Sequence, residues 1–424
     1  MSDHDALLAA ICDSPDDDTP RLIYADFLEE SGESDRAEFV RAQVELARTP
    51  DWEPFAVRCR GRGLEWSEAG APFRGTLPPL GPELAWRSEP FRRGLGWRVE
   101  VSNLRAWAAI APRLWNRAPI GEWDLRAAAT RDEWQTFAES EWASRFRVMH
   151  LHGGSPVEPI RALCSNPAAT GITDIHFHRA SSPGLPELVE DLLATPLGQG
   201  LRGLHFAVGY QSLDHLVDAL AESTVRLDRL SFRTMGMTAE RLGRLLEAPI
   251  CSELRTLELS KDRHRTDDEG GAPEWPARLP ETLTTLRIED GFLRDGDLEV
   301  LALDAVQPRL RVLDLSHDYN VRYAGDIFDA DFVRELRSLV LRDCRLLPEA
   351  WRKLVQSAMW MNLVEVDVRG SAIGDAACRR LVQAPMPPDL TALRIDRPEN
   401  PHHLELLESH FGERLVVTAS ASAG

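Results

Sequence analysis

The sequence predicts an α/β fold in which one short strand and one return helix form a unit that is stacked many times over. Two observations carry that prediction. A pattern of apolar-x-x-apolar-x-apolar recurs with first positions at Ile120, Phe146, Ile172, Leu201, Leu227, Leu254, Leu283, Leu310, Leu336, Leu363 and Leu390. The intervals run 26, 26, 29, 26, 27, 29, 27, 26, 27 and 27 residues, a regularity that a fixed structural period produces and a chance distribution does not. Between the motifs, apolar residues fall at helical spacing, as in Leu242, Leu245 and Leu246.

Each element follows from the spacing. The fourth and sixth residues of the motif are two apart, so both point to one face of a strand, and the third, fifth and seventh point to the other. Helices are expected over 186–194, 213–223, 238–248, 348–358 and 374–384. Pro186 and Pro348 then fall in a first turn, where the missing N–H removes no hydrogen bond. One such unit cannot bury its apolar face alone, so neighbours stack, with parallel strands lining a concave side and helices covering a convex side. A dozen strands at about 4.8 Å spacing give a sheet on the order of 55 Å long.

The stretch from Leu363 to Leu381 holds strand, turn and helix in order, with Val366, Val368, Ile373 and Leu381 at the apolar positions. Repeated over about residues 95–420, the pattern resembles the leucine-rich repeat family, most closely its ribonuclease-inhibitor-like class of strand–helix units. The resemblance implies a horseshoe-shaped solenoid. Cys344 occupies the position where that family places Asn or Cys to bond the turn backbone. Most other units carry residues such as Ala180, Gly209, Asp318, Ser371 and Pro398 there, so the family's polar ladder is expected to be mostly missing. One unit departs from the pattern: the Gly, Pro and charge of 261–276 exclude a return helix and read as a rim loop.

Residues 1–50 have a different character. Helices are expected at about 3–12, 20–31 and 34–48, with Thr19 ahead of Pro20 and Ser34-Asp35 as starts. The segment holds 13 acidic and 4 basic residues, roughly half of the chain's net charge of −19. The runs Leu7–Ile11, Pro15–Glu30 and Arg36–Leu46 resemble the bacterial repeat-companion domain, which precedes repeat arrays in planctomycetes and myxobacteria. Pro90-Phe-Arg-Arg-Gly-Leu95 resembles the strand that follows that domain. The expected organisation is a helical module at 1–50, an irregular Pro-, Gly- and Trp-rich connector and cap at 51–94, and a repeat array with its C-terminal cap at 95–424.

Composition and missing motifs exclude several functions. A pI near 5.1 argues against coating nucleic acid or an anionic membrane. No run of about 18 apolar residues is present, so no transmembrane helix is expected. The N-terminus lacks the basic region of a secretory leader. Cys12, Cys59, Cys164, Cys251, Cys344 and Cys378 are scattered without a CxxC pair and read as reduced thiols in a cytoplasm. The basic residues are nearly all Arg, with Lys only at 261 and 353. No phosphate-binding loop, nucleophile elbow, HExxH or kinase signature occurs. Asp16-Asp-Asp18 lacks the spacing of a calcium loop and reads as a solvated helix start. No enzyme activity, cofactor or metal is expected.

What remains is the strand face turned away from the core. Five of the 12 histidines fall on it in three successive units: His150, His176 and His205 in one row, His152 and His178 in a second. Arg229, Arg233, Glu258, Arg287 and Asp314 continue the face. These ten residues are the expected contact surface for a protein partner, in a non-enzymatic recognition scaffold. Imidazoles about 4.8 Å apart from strand to strand also have the spacing to share an ion, and they titrate near neutrality; the reading taken is a mixed polar surface. A regulatory subunit of a neighbouring enzyme, inhibitor or sensor, in bacterial defence for example, is the alternative reading. Neither a nucleic-acid nor a membrane partner is expected, and the sequence fixes no oligomeric state.

Overall fold

The computed structural model describes residues 2–61, 71–126, 129–152, 157–180, 184–209, 213–234, 236–261, 278–290, 293, 308–318, 321 and 327–418. They fall into two compact units, Met1–Asp51 with Arg58–Leu204, and Trp52–Val57 with His205–Gly424.

In the first unit, helices α1 (Asp3–Asp13), α2 (Thr19–Glu30) and α3 (Ser34–Arg48) lie where the apolar spacing puts them. Ser2 and Asp5 cap α1 reciprocally. The other two starts differ from expectation. The Thr19 N–H donates to Asp17 Oδ1 at 2.9 Å, because the acidic run supplies an acceptor two residues before the Thr19 hydroxyl. Ser34 is already helical, and no side chain caps α3. Leu8, Ile11, Tyr24, Leu28, Val40 and Val44 close one small core together with Leu95.

Leu95 comes from a two-residue hairpin. Strands β1 (Leu84–Trp86), β2 (Phe91–Arg92) and β3 (Leu95–Gly96) precede the array, and β2 pairs with β3. Arg93 and Gly94 join them with φ of 52° and 78°, the left-handed pair that suits a tight hairpin. A Cβ on Gly94 would lie 2.6 Å from Val40 Cα, so only glycine lets the hairpin seat on α3. Arg93 donates to the Asp16 carbonyl at 3.0 Å and lies 3.4 Å from Asp18. The Phe-Arg-Arg-Gly-Leu run and the acidic run are thus two halves of one contact.

Strands β4 (Arg98–Val101), β5 (Glu122–Leu125), β6 (Val148–His152) and β7 (Asp174–Ala180) are parallel neighbours in chain order, and β1 pairs antiparallel with β4. Return helices run over Leu104–Leu114, Arg131–Ala138, Val157–Cys164 and Leu185–Leu193, with Pro186 in the first turn of the last. Trp123, at the fourth motif position, is fully buried, its ring 4.6, 4.4 and 3.9 Å from those of Trp107, Phe137 and Phe146.

The boundary between the units falls within β8 (Gly203–Val208). In the second unit, β9 (Arg229–Arg233), β10 (Thr256–Ser260), β11 (Thr285–Glu289), β12 (Val312–Asp314), β13 (Ser338–Val340), β14 (Glu365–Asp367), β15 (Ala392–Asp396) and β16 (Leu415–Thr418) are each parallel to the next. The register lays motif on motif: Leu230, Leu257, Leu286, Leu313, Leu339, Val366 and Leu393 are successive partners. All of them are fully buried. Helices occupy Leu213–Ala221, Ala239–Leu246, Pro348–Gln356, Asp375–Gln383 and Pro401–Phe411.

Strands β11 to β14 leave the sheet through a left-handed residue. Asp290, His317, Asp343 and Gly370, the eighth motif residues of successive units, have φ of 64°, 59°, 57° and 77°. At Gly370 a Cβ would lie 2.8 Å from Asp343 Cα, so stacking leaves room only for glycine. Just after these residues the turn ladder is present in two adjacent units. Cys344 Sγ lies 3.1 Å from the Leu315 carbonyl oxygen, and Asp318 Oδ2 accepts from Leu293 N–H at 2.8 Å. Asp318 therefore serves as the Asn of the ladder would. Apart from Lys261, the rim loop expected at 261–276 lies outside the described residues.

The connector is less irregular than expected. It forms helix α4 (Pro54–Gly61) as well as β1 and β2. Val57 on α4 is buried against Val364, which precedes β14, and Ala392 of β15, with Val416 of β16 packed alongside.

Candidate functional site

A dense polar constellation lies on the first unit's strand face, on the side away from the fourth and sixth motif residues. β4 supplies Arg98 and Glu100, β5 Glu122 and Asp124, β6 His150 and His152, β7 His176 and His178. The register sets His150 opposite His176 and His152 opposite His178, as the period predicts. Their rings stack: His150 on His176 at 4.1 Å and 17°, His152 on His178 at 4.2 Å and 6°.

The polar contacts run diagonally instead. His150 Nδ1 lies 3.0 Å from His178 Nε2, and His150 Nε2 lies 3.1 Å from Glu122 Oε1. His152 Nε2 lies 3.0 Å from Asp124 Oδ1. In register, Glu122 faces Val148 and Asp124 faces His150, so each carboxylate reaches one pleat further along the next strand, a diagonal within range of long side chains.

Arginines lock the carboxylates. Arg98 Nε donates to Glu122 Oε2 at 2.8 Å. Arg126 Nε donates to Asp124 Oδ1 at 3.1 Å, and Arg87 approaches Asp124 Oδ2 at 2.5 Å. Burial alone raises both carboxyl groups, but the contacts of Glu122 with His150 and Arg98, and of Asp124 with His152 and Arg126, outweigh it. Both are held below the usual carboxylate range. The four histidines are half-buried, so the site is roofed by its own side chains yet open to solvent. Glu122 and Asp124 are the members of the constellation that the histidine rows alone do not announce. Their signal was the outward strand positions one unit earlier, Asp124 in register with His150 and Glu122 one pleat before it.

The remaining candidates belong to the second unit. His205 is half-buried on β8. Arg229 and Arg233 begin and end β9, half-buried and exposed. Glu258 and Arg287 face each other in register and pair at 2.7 Å.

Asp314 corrects the expectation of a fully exposed face. It is 4% exposed, and its Oδ1 accepts from Ser316 N–H at 3.0 Å. Thr285, Ser338, Glu365, Asp367 and Ala392, at equivalent outward positions, are buried too. The reason is neighbouring arginine and helix α4. Arg394 pairs with Glu365 at 2.8 Å and Arg369 with Asp367 at 2.6 Å, their stems lying over the shorter acids. Val57 covers Ala392. Beside Asp314, burial and the negative charges of Asp314 and Asp290 push Glu289 up to about 7. Burial likewise raises Asp314.

The turns beyond β13–β15 enclose a groove of about 750 Å³, lined among others by His317, Arg342, Arg369, Asp396 and His403. The motif reading missed it because it followed strands and not turns. The acidic run in the first unit is a second correction. The correction holds at one position: Asp16 and Asp17 are exposed at the start of α2 as expected, but Asp18 is 5% exposed and meets Arg48 Nε at 2.7 Å.

All six cysteines are free, and no helix among the described residues is long and apolar enough to cross a membrane. No family model and no curated protein matches the chain. Among solved structures, the chain is similar to the leucine-rich repeat-containing protein LegL7 of Legionella pneumophila, with TM-score 0.42, 14% identity, 67% of this chain and 95% of that one covered. It is also similar to the yeast Rad7 and Elc1 complex, with TM-score 0.40, 12% identity, 74% and 86% covered. A protein of Bacteroides fragilis overlaps with TM-score 0.34, 13% identity, 68% and 82% covered. The fold assignment rests on the chain itself: one parallel strand per period, motif registered on motif, and a helix returning after most strands make this a leucine-rich repeat fold of the strand–helix kind, with helices α1 to α4 ahead of it.

Proposed function

We propose that the chain is a non-enzymatic recognition protein that binds another protein on the strand face of its repeats, the concave face of the expected array. The observation that carries this reading is pre-organisation. The outward side chains are already held by their neighbours in cross-strand ladders, from Arg98–Glu122–His150–His178 in the first unit to Glu258–Arg287 in the second. Side chains ordered before contact lose little freedom on binding, and a ladder of alternating charge selects a partner of complementary pattern. In this reading His150, His152, His176, His178, His205, Arg229, Arg233, Glu258 and Arg287 are contact residues, and the buried Asp314 is not.

The rest of the organisation fits the same role. The module at 1–50, proposed as a repeat-companion domain, and the connector at 51–94 cover the apolar start of the array at 95–424, as solenoid ends require. Free, mostly buried thiols suit a reducing cytoplasm. The test is affinity capture from the native host with wild type and with Arg229→Glu/Arg233→Glu, read by mass spectrometry. Selective loss of one stoichiometric partner from the variant is expected. Equal recovery of that partner by both proteins would move the contact off this face. A partner that is an enzyme would make the chain a regulatory subunit.

A further inference from the structure

We propose that His150, His176 and His178 form a binding site for a divalent transition-metal ion of the zinc type, with Glu122 as its outer carboxylate. One nitrogen of each ring lies within 4.8 Å of the others. Two nitrogens sharing a tetrahedral zinc at about 2.0–2.1 Å stand roughly 3.3 Å apart. His150 Nδ1 and His178 Nε2, at 3.0 Å, are close to that separation, and both rings must turn slightly so that their lone pairs meet an ion set beside the line between them. His176 must turn out of its stack on His150 to deliver the third nitrogen, and its half-buried position on an open face allows that rotation.

The tautomers favour this use. Glu122 is held as a carboxylate by Arg98, so it accepts a hydrogen bond from His150 Nε2–H. The lone pair of His150 then sits on Nδ1, pointing at His178 Nε2. In the empty site the His178 N–H fills the space between the two rings. When an ion binds, the His178 proton moves to Nδ1, which frees the Nε2 lone pair, and the ion sits to one side of the line between the two nitrogens, about 2.0–2.1 Å from each. A carboxylate behind a histidine behind a metal is the usual arrangement by which an outer group fixes a ligand's orientation and basicity. Three imidazoles with no carboxylate in the inner set select zinc, nickel or copper over magnesium or calcium. Three protein ligands leave a fourth position, open on the strand face to water or to an incoming donor.

The test uses the full chain, stripped with a chelator, dialysed and titrated calorimetrically with zinc chloride. Cobalt(II) absorption serves as a second readout, since a tetrahedral nitrogen site gives intense visible bands and an octahedral oxygen site gives weak ones. One zinc per chain is expected, with an intense cobalt spectrum. His178→Ala should weaken binding at least tenfold, and the triple alanine variant at 150, 176 and 178 should lose both the heat and the bands. Glu122→Gln should weaken binding by about 10- to 100-fold. His317→Ala, which alters a histidine paired with Asp343 elsewhere in the chain, should bind as wild type. Melting of the metal-free proteins shows that each variant is folded, and added zinc should raise the wild-type melting temperature but not the triple variant's. No zinc bound by wild type, or wild-type affinity retained in the folded triple variant, overturns the proposal. Neither result depends on a protein partner, so the metal site and the recognition surface fail separately.

Discussion

Arg394 reaches from β15 to β14 and sets its Nε 2.8 Å from Oε1 of Glu365, leaving the two side chains 12% and 7% exposed. The pair removes two charges from water while keeping them matched, so the cost of breaking it is the cost of stranding either one. Glu365→Ala or Arg394→Ala should therefore destabilise the chain by about 3–5 kcal/mol. Glu258→Ala, which breaks a half-exposed pair on the same kind of strand position, should cost less than about 1 kcal/mol. Urea unfolding of the three variants measures the difference, and equal losses would contradict the burial described.

The stacked fourth motif residues should dominate stability. Leu257 and Leu313 are fully buried, and truncating either to Ala should cost about 2–5 kcal/mol through lost burial and the cavity left behind. Leu347 is 40% exposed, and Leu347→Ala should change stability by roughly 0.5 kcal/mol or less. Urea midpoints separate these outcomes. A Leu347 effect as large as that of Leu257 would show the wrong face inside.

Glu289 makes stability depend on pH near neutrality. Its carboxyl group is raised from 4.5 to about 7, first by burial and then by the charges of Asp314 and Asp290. A raised acid means that the folded chain holds more protons than the unfolded chain between those values, so stability falls as pH rises across that window. Glu289→Gln removes the titrating group, and its stability should fall less than the wild type's between pH 5 and about 7.5. Thermal melts across that range provide the comparison, and an unchanged slope in the variant would assign the loss to other groups.

The seat of Val57 on the later strands is also open to test. Val57→Asp would bury an unpaired charge, which the chain avoids by releasing the segment. Amide exchange should then speed up around Val364, Ala392 and Val416, with little change at β9–β11. Unaltered protection at those three positions would mean that Val57 does not cover them.

The periodicity made the repeat architecture legible, because one motif per 26–29 residues fixes both the register and the inward face. It also made the histidine rows legible, since equal positions in successive units become neighbours. The diagonals were not legible. Whether Glu122 meets Val148 or His150 depends on how side chains lean along the sheet, not on position alone. Nor was the burial of Asp314, Glu365 and Asp367, because alternation says which way a side chain points and nothing about what lies over it. Arginines and a helix from the connector supply that cover.

Val57 has a further consequence for how the chain is made. A repeat can pack on its predecessor as soon as it is synthesised, because repeats touch mainly their neighbours. The partners of Val57 arrive about 300 residues later, roughly 15–60 s of translation at ordinary rates. Until then, Val57 is an apolar side chain without its partners on a nascent chain. Its burial is therefore a late event of biosynthesis, and a chain released before residue 364 has no means of completing it.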